Sequence, residues 1–493
     1  MDGERRAGDD RRGGTDRRSG GAGDGPQNAR ETGDRGQGRD RRRNAPTRLD
    51  AIVVGAGIAG LVAATDLAAA GLDVVLFEAR DRVGGRTASR EVAGQSIELG
   101  GQWIAPYQTA VRRRLDTLGI GLFPRYRDGA GVYVGRDGRP VRYDGHDAPI
   151  GDAASASYAA AVAVLDRLAS ALDPEAPWDH PRADDLDTIS FEEWLRREVV
   201  DEDARDLLRF FLAGAFMTKP ASSFSLLMGL WTIAGAGGTA NLFDPDLVLD
   251  ARVIGGASAI AQALAAPLGD RVRLSNPVRE VGWDARGVTV TAGGETLRAR
   301  HAVLAVPANL VGSIRFDPPL PGWRMRVDQA FSPGSVIKVQ AIYAQPFWRE
   351  DGLSGVGFGP HEMVREIYDN SPPDGSAGVI VGFLAADGAD RASRLPADAR
   401  RKEVLASFAR YVGAGALEPL AFVEHDWSAE EWTRGAYAAT FGVGGVTRFG
   451  PDMRRPIGPF RFASTDVSGI GHMHMEGAVR SAEAAVAAIL AER

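Results

Sequence analysis

The chain of 493 residues contains no cysteine. It can therefore form neither a disulfide bond nor a thiolate metal site, and no cofactor can be attached to it through a cysteine sulfur. Its seven histidines are scattered apart from His472 and His474, so we expect no metal centre. The sequence also lacks any run of about 20 uncharged apolar residues, and we expect no membrane-spanning segment.

Lysine is almost as scarce as cysteine. Of the 58 basic residues only three are lysines, Lys219, Lys338 and Lys402. Arginine keeps its charge in proteins, whereas a buried lysine can lose its proton. In a chain with so strong a bias toward arginine, each retained lysine calls for an explanation.

The first 47 residues differ in composition from the rest. They hold 12 arginines and 9 acidic residues, with no valine, isoleucine, leucine or aromatic residue. Such a segment cannot bury enough apolar surface to offset the entropy lost on ordering, so we expect residues 1–47 to be a disordered tail. The rest of the chain has 46 basic and 56 acidic residues, a net charge of −10, which argues against nucleic acid as a main partner.

The end of the tail has one feature of an export signal. Arg41–Arg43 precede an apolar run, as in twin-arginine signals. That run, however, carries the nucleotide-binding motif described next, which cleavage would remove. We therefore expect a cytoplasmic protein.

The most informative motif occupies residues 53–87. A short apolar strand runs into a turn with Gly55, Gly57 and Gly60, followed by an alanine-rich helix and a second strand that ends on Glu78. The first glycine allows the tight turn, the second lets the backbone approach a pyrophosphate, and the third lets helix and strand pack closely. Glu78 lies 18 residues after Gly60, near the spacing expected of an acid that accepts ribose hydroxyls.

A second glycine pair, Gly84 and Gly85, follows within a run of arginines that ends at Arg86. It would bring another backbone turn and a guanidinium to the same dinucleotide. NAD sites do not need this addition, whereas the longer flavin dinucleotide does. The sequence therefore predicts that the protein binds FAD.

Helix and strand patterns continue along the chain. Helical periodicity covers 155–170 and 190–215, the latter with Ser190 as N-cap and Glu193 completing a capping box. The other predictions are a strand at Val74–Phe77, a buried helix at 220–234, short strands from 271 to 307, a strand over 335–343 and a last amphipathic helix over 475–490.

This order of patterns predicts two interleaved domains. The nucleotide-binding domain would use residues 48–125, 251–320 and 435–493, because the short strands after 271 return to complete its sheet. A substrate domain would use residues 126–250 and 321–434.

Several collinear motifs together resemble a known family. They are GAGIAG, EARDRVGGRT, ELGGQW, RFDPPLP, SVIKV with the following PFWR, DWSAEEWTRGAY and FASTDVSGIGHMHMEGAVRSAEAA. From Asp50 to the C-terminus the chain is similar to the flavin amine oxidases, the monoamine and polyamine oxidase group, and the end of the last motif resembles putrescine-type oxidases. The resemblance implies an α/β fold: a Rossmann-like FAD-binding domain interleaved with an α+β substrate-binding cap.

The resemblance also implies a set of cofactor contacts. In it Glu78 accepts from the ribose, Val278 holds the adenine through its backbone, and Met475 begins a helix whose N-terminus faces flavin N1 and O2. Asp466 stands where the family usually has Glu near the ribityl chain. The full set of expected FAD contacts is Gly55, Gly57, Ala59, Gly60, Glu78, Arg80, Gly84, Gly85, Arg86, Gly100, Gly101, Gln102, Trp103, Val278, Trp432, Asp466 and Met475.

Lys338 is the leading catalytic candidate. It matches the family lysine that holds a water against flavin N5, and a lysine inside an apolar strand is rarely buried without a role. The alternative is a lysine on an exposed edge strand that discourages aggregation.

Three further residues match family positions in the active site. Trp427 matches an aromatic residue near the flavin, and Tyr437 matches one wall of the aromatic pair that encloses the substrate amine. His474 replaces the second wall; it would accept a hydrogen bond from the amine, or it is a packing histidine bonded to the backbone. Ala436 occupies the place of the flavin-linking cysteine of some relatives, so we expect non-covalent FAD.

The expected reaction is oxidation of an amine C–N bond by hydride transfer to flavin N5, with an imine and hydrogen peroxide as products and molecular oxygen as acceptor. An L-amino-acid oxidase or a decarboxylating amino-acid monooxygenase of the same fold is the alternative, although the turn after ELG lacks the arginine such enzymes use for the carboxylate. A non-enzymatic flavoprotein is a more remote alternative. A homodimer is possible on this reading, and the sequence does not specify the amine.

Overall fold

The first structural unit follows from the apolar run that opens the nucleotide motif. In the computed structural model, which describes residues 48–145 and 147–492, this run is a strand, Leu49–Val54, with five of its six residues buried within a sheet. A strand buried on both sides reads as a continuous apolar run, as in parallel α/β sheets. The expected tail, residues 1–47, lies outside the described residues.

The described residues contain 22 strands. In chain order they are β1 (Leu49–Val54), β2 (Val74–Phe77), β3 (Ser89–Val92), β4 (Gln95–Glu98), β5 (Trp103–Ile104), β6 (Leu122–Pro124), β7 (Ala130–Val134), β8 (Pro140–Tyr143), β9 (Ala251–Val253), β10 (Val272–Arg273), β11 (Glu280–Asp284), β12 (Gly287–Ala292), β13 (Glu295–Leu304), β14 (Arg315–Asp317), β15 (Ser332–Pro333), β16 (Val336–Tyr343), β17 (Leu353–Phe358), β18 (Glu366–Asp369), β19 (Gly378–Ala385), β20 (Ala421–Asp426), β21 (Ala439–Thr440) and β22 (Phe460–Phe462).

The described residues also contain 15 α-helices. They are α1 (Ile58–Ala69), α2 (Thr109–Leu118), α3 (Asp152–Ala169), α4 (Ala183–Thr188), α5 (Phe191–Glu198), α6 (Glu202–Leu208), α7 (Leu226–Ala236), α8 (Ala240–Phe243), α9 (Pro245–Val248), α10 (Ser258–Ala265), α11 (Gly322–Ala330), α12 (Asp387–Ser393), α13 (Ala397–Val412), α14 (Gly445–Met453) and α15 (Met475–Leu490). Arg209–Met217 is a π-helix, and 3₁₀ turns lie at Pro177–Asp179, Ala266–Arg271, Ala308–Ser313, Phe347–Arg349, Ala414–Leu417 and Thr465–Val467. In the part of the chain that the structure describes, none of the helices is apolar and long enough to cross a membrane.

The nucleotide motif lies in the larger sheet. Its strand order is β10-β2-β1-β13-β12-β11-β14, with β22 beside β13. Strands β2, β1 and β13 run parallel, and helices α1 and α15 pack together over them. The carboxyl ends of these parallel strands form the crevice in which doubly wound folds bind their ligands.

The second sheet covers that crevice. Its order is β20-β16-β19-β18-β17-β7-β8, and all eight residues of β16 are buried. Strand β16 lies between β20 and β19, so Lys338 is not on an edge strand and the edge-strand alternative is wrong. The two sheets use strands from the chain segments assigned to the two predicted domains; the domain boundaries themselves stay a prediction.

Most predicted elements are confirmed, including β2, β16 and α15 at their predicted positions. The helix predicted at 220–234 is wrong in its start, since α7 begins at Leu226 with Ser225 as N-cap accepting from the Met228 N–H. The helical region 190–215 is confirmed at its N-cap, where Ser190 accepts from the Glu193 N–H at 3.1 Å. It is interrupted at residues 199–201, because Asp201 caps a new helix there.

Candidate active site

The predicted site residues come together along a single cavity between the two sheets. This cavity is lined by all of the sequence-predicted catalytic and cofactor residues except Gly60 and Asp466. They are brought there by the turn after β1, the loop between β2 and β3, the turn after β4, strand β16, the loop after β20 and the N-terminus of α15. The cavity therefore extends from the nucleotide motif to the strands of the second sheet.

The first glycine turn divides its tasks as the sequence predicted. A Cβ on Gly60 would lie 1.8 Å from the Gly55 carbonyl oxygen, so only glycine fits between the turn and the helix. Gly55 has φ +102°, and its own Cβ would meet the Ala305 carbonyl oxygen of the neighbouring strand at 2.8 Å. A Cβ on Gly57, in contrast, would meet no atom within 4 Å. Gly57 is thus the glycine that leaves room for a ligand at the backbone.

The second glycine turn packs against the first. The Gly84 N–H donates to the Ala56 carbonyl at 2.8 Å, and a Cβ on Gly85 would lie 3.1 Å from the Gly57 Cα. Two backbone turns therefore meet at the mouth of the parallel strands, next to the free N–H groups at the start of α1. Such a concave surface of main-chain N–H groups suits a pyrophosphate.

Glu78 lies at the end of β2 and is 5% exposed. Its carboxylate accepts from the Ala56 N–H at 2.6 Å and from the Arg80 N–H at 2.8 Å, one bond to each oxygen. Each oxygen keeps a lone pair for a further donor. The carboxylate is therefore held in place by the backbone and remains able to accept from a ribose.

Asp466 corrects one sequence expectation. It does not line the cavity: its carboxylate is fully buried and accepts from Arg86, from the Ser464 hydroxyl and from the Ala308 and Ala439 N–H groups. Arg86 in turn reaches the cavity wall and also donates to the Tyr437 carbonyl at 2.9 Å. Burial acts to raise the pKa of Asp466, but the charge and hydrogen bonds of Arg86 together with the Ala308 N–H and the Ser464 hydroxyl lower it, so the carboxylate stays charged. Asp466 thus positions Arg86 rather than facing a ribityl chain.

Helix α15 begins at the cavity. Within the described residues, the N–H groups of Met475 and Glu476 donate to no protein acceptor, as expected for the first turn of a helix. The Glu476 side chain does not cap its own helix, because it accepts from the Ala110 and Val111 N–H groups at the start of α2. The positive end of α15 is left facing the cavity, where it would stabilise negative charge on a bound group.

Together these features fit FAD. The space beside Gly57 fits the pyrophosphate, Glu78 fits the ribose, and the start of α15 fits the electron-rich edge of a flavin. A further donor in the cavity, the Trp103 Nε1–H, is buried and has no acceptor among the described residues. Ala436 carries no sulfur, so it cannot link the FAD that these residues would hold through a thioether.

Lys338 points from the centre of β16 into this cavity. It is 3% exposed, and its Nζ donates to the Gly100 carbonyl at 2.9 Å and to Gln102 Oε1 at 2.5 Å. No carboxylate of residues 48–145 or 147–492 contacts its Nζ, and burial lowers its pKa to about 7. Lys338 is therefore able to lose its proton near neutral pH.

The other two lysines differ in burial. Lys219 is 5% exposed and donates to Ser332 Oγ at 2.8 Å and Thr440 Oγ1 at 2.6 Å, so it ties the end of the π-helix to the short ladder of β15 and β21. Lys402 lies exposed on α13. Of the three lysines, only Lys338 lines the cavity.

Aromatic rings surround Lys338. Trp103 packs against Tyr368 and Phe383, with ring centroids 5.9 and 6.1 Å apart, and Phe383 packs against the edge of Tyr437 at 6.2 Å. The Trp427 indole donates to the Leu99 carbonyl at 2.9 Å, which fixes it against the turn that follows β4. The substrate end of the cavity is thus largely apolar.

Glu366 is the site residue that the sequence analysis missed. It lines the cavity from β18, is 6% exposed, and has one side-chain partner, the Tyr368 hydroxyl, which donates to it at 2.7 Å. Burial raises its pKa to about 7. An available signal was the alternation of Glu366 and Tyr368 in REIYDN, which places both on one face of a strand.

His474 closes the cavity on the side of α15. Its Nδ1–H donates to the His472 carbonyl at 2.9 Å, which leaves Nε2 as an acceptor in the neutral ring. Burial lowers the pKa of His474, so the neutral form prevails at pH 7. Its ring contacts Tyr107 and Phe216 at centroid distances of 6.2 Å. His474 therefore has both the backbone hydrogen bond of a packing histidine and a ring nitrogen, Nε2, that is able to accept from an amine.

Comparison with known proteins identifies the family. The profile described as flavin containing amine oxidoreductase matches residues 58–490. The chain belongs to this family. It is 45% identical to the putrescine oxidase of Kocuria rosea over 453 residues, which covers 90% of this chain and 95% of that protein.

Two more relatives span the same length. A solved structure of a putrescine oxidase bound to putrescine matches with a TM-score of 0.89 and 46% identity, covering 90% of this chain and 99% of that one. The L-amino acid dehydrogenase of Synechocystis is 32% identical over 452 residues, covering 90% of this chain and 94% of that protein. The predicted family, fold and FAD cofactor are confirmed, and the chain is a flavin-containing amine oxidase.

Paired substitutions in the first glycine turn test the FAD site. We expect Gly57→Ala to fold normally and to bind FAD at least about tenfold more weakly, because its methyl group enters the space left for the pyrophosphate. Gly60→Ala should give no folded protein, since its Cβ has no room beside Gly55. Thermal unfolding of the FAD-free variants and titration with FAD measure both effects. Wild-type FAD affinity in Gly57→Ala would contradict this assignment.

Proposed function

We propose that this enzyme oxidises one terminal amine of a short aliphatic diamine of the putrescine class, releasing an imine and hydrogen peroxide. The observation that carries the proposal is Glu366, a buried carboxylate at the substrate end of an aromatic cavity, bonded to a tyrosine hydroxyl and to no cation among the described residues. A buried carboxylate without a positive partner suits a cationic ligand. The putrescine oxidases among the relatives support the same substrate class.

The register of the second sheet (the cap sheet, β20-β16-β19-β18-β17-β7-β8) sets the spacing of Lys338 and Glu366. Lys338 pairs with Phe383 across β16 and β19, and Glu366 pairs with the same Phe383 across β19 and β18. Lys338 and Glu366 therefore face the cavity from positions two strand spacings apart, about 10 Å between their backbones. This arrangement would place one amine of a diamine near Lys338 while Glu366 holds the other as an ammonium.

FAD, when bound, supplies the two-electron acceptor that takes a hydride from the carbon next to nitrogen and passes the electrons to oxygen. The residues of the chain prepare the amine for that step. An alkylammonium has a pKa of about 10, so removing its proton near pH 7 requires roughly 4 kcal/mol. The apolar walls formed by Trp103, Phe383 and Tyr437 favour the neutral amine, and Lys338 accepts the proton directly or through a water. His474 offers Nε2 as a further acceptor.

The amino-acid alternative finds less support at the cavity. A substrate carboxylate needs a cation, and the two arginines that line the cavity are already paired, Arg80 with Glu430 at 3.1 Å and Arg86 with Asp466 at 2.7 Å. Glu366 would repel a carboxylate placed near it. Peroxide release measured side by side with putrescine, arginine and tryptophan separates the two functions, and turnover of the amino acids alone would refute the proposal.

Glu366→Gln tests the diamine assignment directly. We expect kcat/KM for putrescine to fall by at least about 30-fold, since removing one partner of a buried ion pair costs roughly 2–5 kcal/mol. Butylamine has the same carbon chain without the second ammonium, and its kcat/KM should change less than about threefold. Steady-state peroxide assays on both substrates supply the measurement. Equal losses on the two substrates would mean that Glu366 does not hold the distal ammonium.

Lys338→Met tests the proton-accepting residue. We expect flavin reduction by putrescine, or reoxidation by oxygen, to slow at least tenfold, because methionine cannot take up the proton that Lys338 accepts. Lys402→Met is the matched control, as its side chain is exposed and distant from the cavity. Stopped-flow measurement of both half-reactions gives the rates. Unchanged rates in both would refute a role for Lys338.

The pH dependence of kcat/KM follows from Glu366 and Lys338, whose ionised forms carry opposite charges. Above about pH 7 Glu366 loses its proton and binds an ammonium, while Lys338 loses its proton and becomes an acceptor, so both active forms appear as the pH rises. We expect log kcat/KM for putrescine to rise below pH 7 with a slope greater by about one than that of Glu366→Gln. Parallel profiles for the two proteins from pH 5.5 to 8 would contradict this explanation.

A further inference from the structure

Three buried amide side chains connect Lys338 to a main-chain carbonyl. Lys338 Nζ donates to Gln102 Oε1, Gln102 Nε2 donates to Asn370 Oδ1 at 2.6 Å, and Asn370 Nδ2 donates to Gln340 Oε1 at 2.8 Å. Gln340 Nε2 then donates to the Glu98 carbonyl at 2.8 Å. None of the three amides is more than 2% exposed. They form one continuous chain of hydrogen bonds, defined here as the amide chain.

The far end of the amide chain fixes its direction. A main-chain carbonyl can only accept, so Gln340 must turn its NH₂ group toward Glu98 and its oxygen toward Asn370. That oxygen requires the NH₂ group of Asn370, which leaves the Asn370 oxygen for Gln102. Gln102 must then donate to Asn370 and present its own oxygen to Lys338. The orientation at Lys338 is therefore set three side chains away.

This orientation decides where the lone pair of Lys338 points. A neutral amine has two N–H groups, and the Gly100 carbonyl and Gln102 Oε1 accept one each. No other described residue accepts from Nζ, and Lys338 lines the cavity, so the remaining tetrahedral direction is left for a group there. If Gln102 were reversed, its NH₂ group would donate to Nζ and would occupy the lone pair.

We propose that Gln340 and Asn370 are positioning residues that act through Gln102 to keep the lone pair of neutral Lys338 directed into the cavity. The inference rests on the part of the proposed function that makes Lys338 a proton acceptor. The rest of the surroundings is consistent with it. Arg252 donates to the Asn370 carbonyl at 2.7 Å and anchors its backbone, and the Glu98 carboxylate is bonded to the Ala257 N–H and the Ser89 hydroxyl rather than to Lys338.

Packing alone does not explain the polar residues. Strand β16 places Val336, Lys338, Gln340 and Ile342 on one face, and Val336 and Ile342 show that this face accommodates apolar side chains. A buried amide is worth retaining only when every polar atom is bonded. The amide chain meets that condition, and its one end without an amide partner is Lys338.

Gln340→Leu removes the anchor without changing a residue that lines the cavity. Ile342→Val is the matched control, since it alters the next residue on the same face of the same strand. Because the sequence contains only three lysines, labelling lysine with ¹³C at Cε gives three signals, and Lys219→Met and Lys402→Arg variants assign them. The titration of Lys338 in the FAD-loaded enzyme can then be followed by NMR.

The expected result is a lower titration midpoint for Lys338 in Gln340→Leu. With Gln102 free to reverse, the charged ammonium loses an assured acceptor, so the midpoint should fall by roughly one pH unit. Glu98 and Arg252 are the charged groups that act on Lys338, and both remain unchanged. Ile342→Val should keep the wild-type midpoint. Above the midpoint, anaerobic flavin reduction in Gln340→Leu should slow about tenfold with little change in KM.

An unchanged or raised Lys338 midpoint in folded Gln340→Leu overturns the proposal. If Gln340→Leu gives no folded protein, the same titration of Asn370→Leu decides, because that substitution cuts the amide chain at its centre. The NMR midpoint does not depend on turnover. Failure of the amide chain is therefore distinguishable from a wrong substrate class, which the comparison of putrescine with butylamine reports.

Discussion

The fold depends on a buried ion pair at which separate stretches of the chain meet. The Asp466 carboxylate accepts from Arg86, from the Ala308 N–H and from the Ala439 N–H. Arg86 follows β2, Ala308 follows β13 and Ala439 follows the cap sheet. The Asp466 carboxylate therefore joins three segments that are far apart in the sequence. An unpaired charge at this depth would be strongly destabilising, whereas a fully bonded one fixes the relative positions of its partners. The same ion pair holds the Arg86 side chain at the wall of the cavity.

In the cavity, by contrast, two buried ionisable groups are not paired with an opposite charge among the described residues. Lys338 and Glu366 are buried there without counter-ions and differ from Asp466 in that each has only neutral partners. Burial moves both pKa values toward neutrality from opposite sides, and the intervening Phe383 keeps the two groups apart. In such a site the charge of Lys338 or Glu366 can change when a cation binds or a proton is lost. The surrounding aromatic rings make the walls apolar without supplying a competing charge.

Local signals explain what the sequence could predict. Gly55, Gly57 and Gly60 act within six residues, so together with the flanking strand, helix and Glu78 they predict the turn and a dinucleotide, and the nearby Gly84–Gly85 pair narrows the ligand to FAD. Glu366 was missed because every residue of β18 is buried, which hides the usual contrast between a polar and an apolar face. Asp466 was assigned to the ligand through the family resemblance, and its partners come from distant segments, so the sequence does not reveal its bonds to them. The amide chain likewise joins residues from three separate elements, so no local spacing in the sequence predicts it.

The scarcity of nucleophilic side chains has a consequence for the lifetime of the catalyst. Under the proposed function the products are peroxide and an imine that hydrolyses to an aldehyde. Primary amines add to aldehydes, and peroxide oxidises thiolates. The chain has no thiol, and two of its three lysines are enclosed, one of them inside the reaction chamber. Arginine, which supplies nearly all of the remaining positive charge, stays protonated and reacts poorly with such electrophiles. A surface of this composition offers few reactive side chains to the products of the proposed reaction.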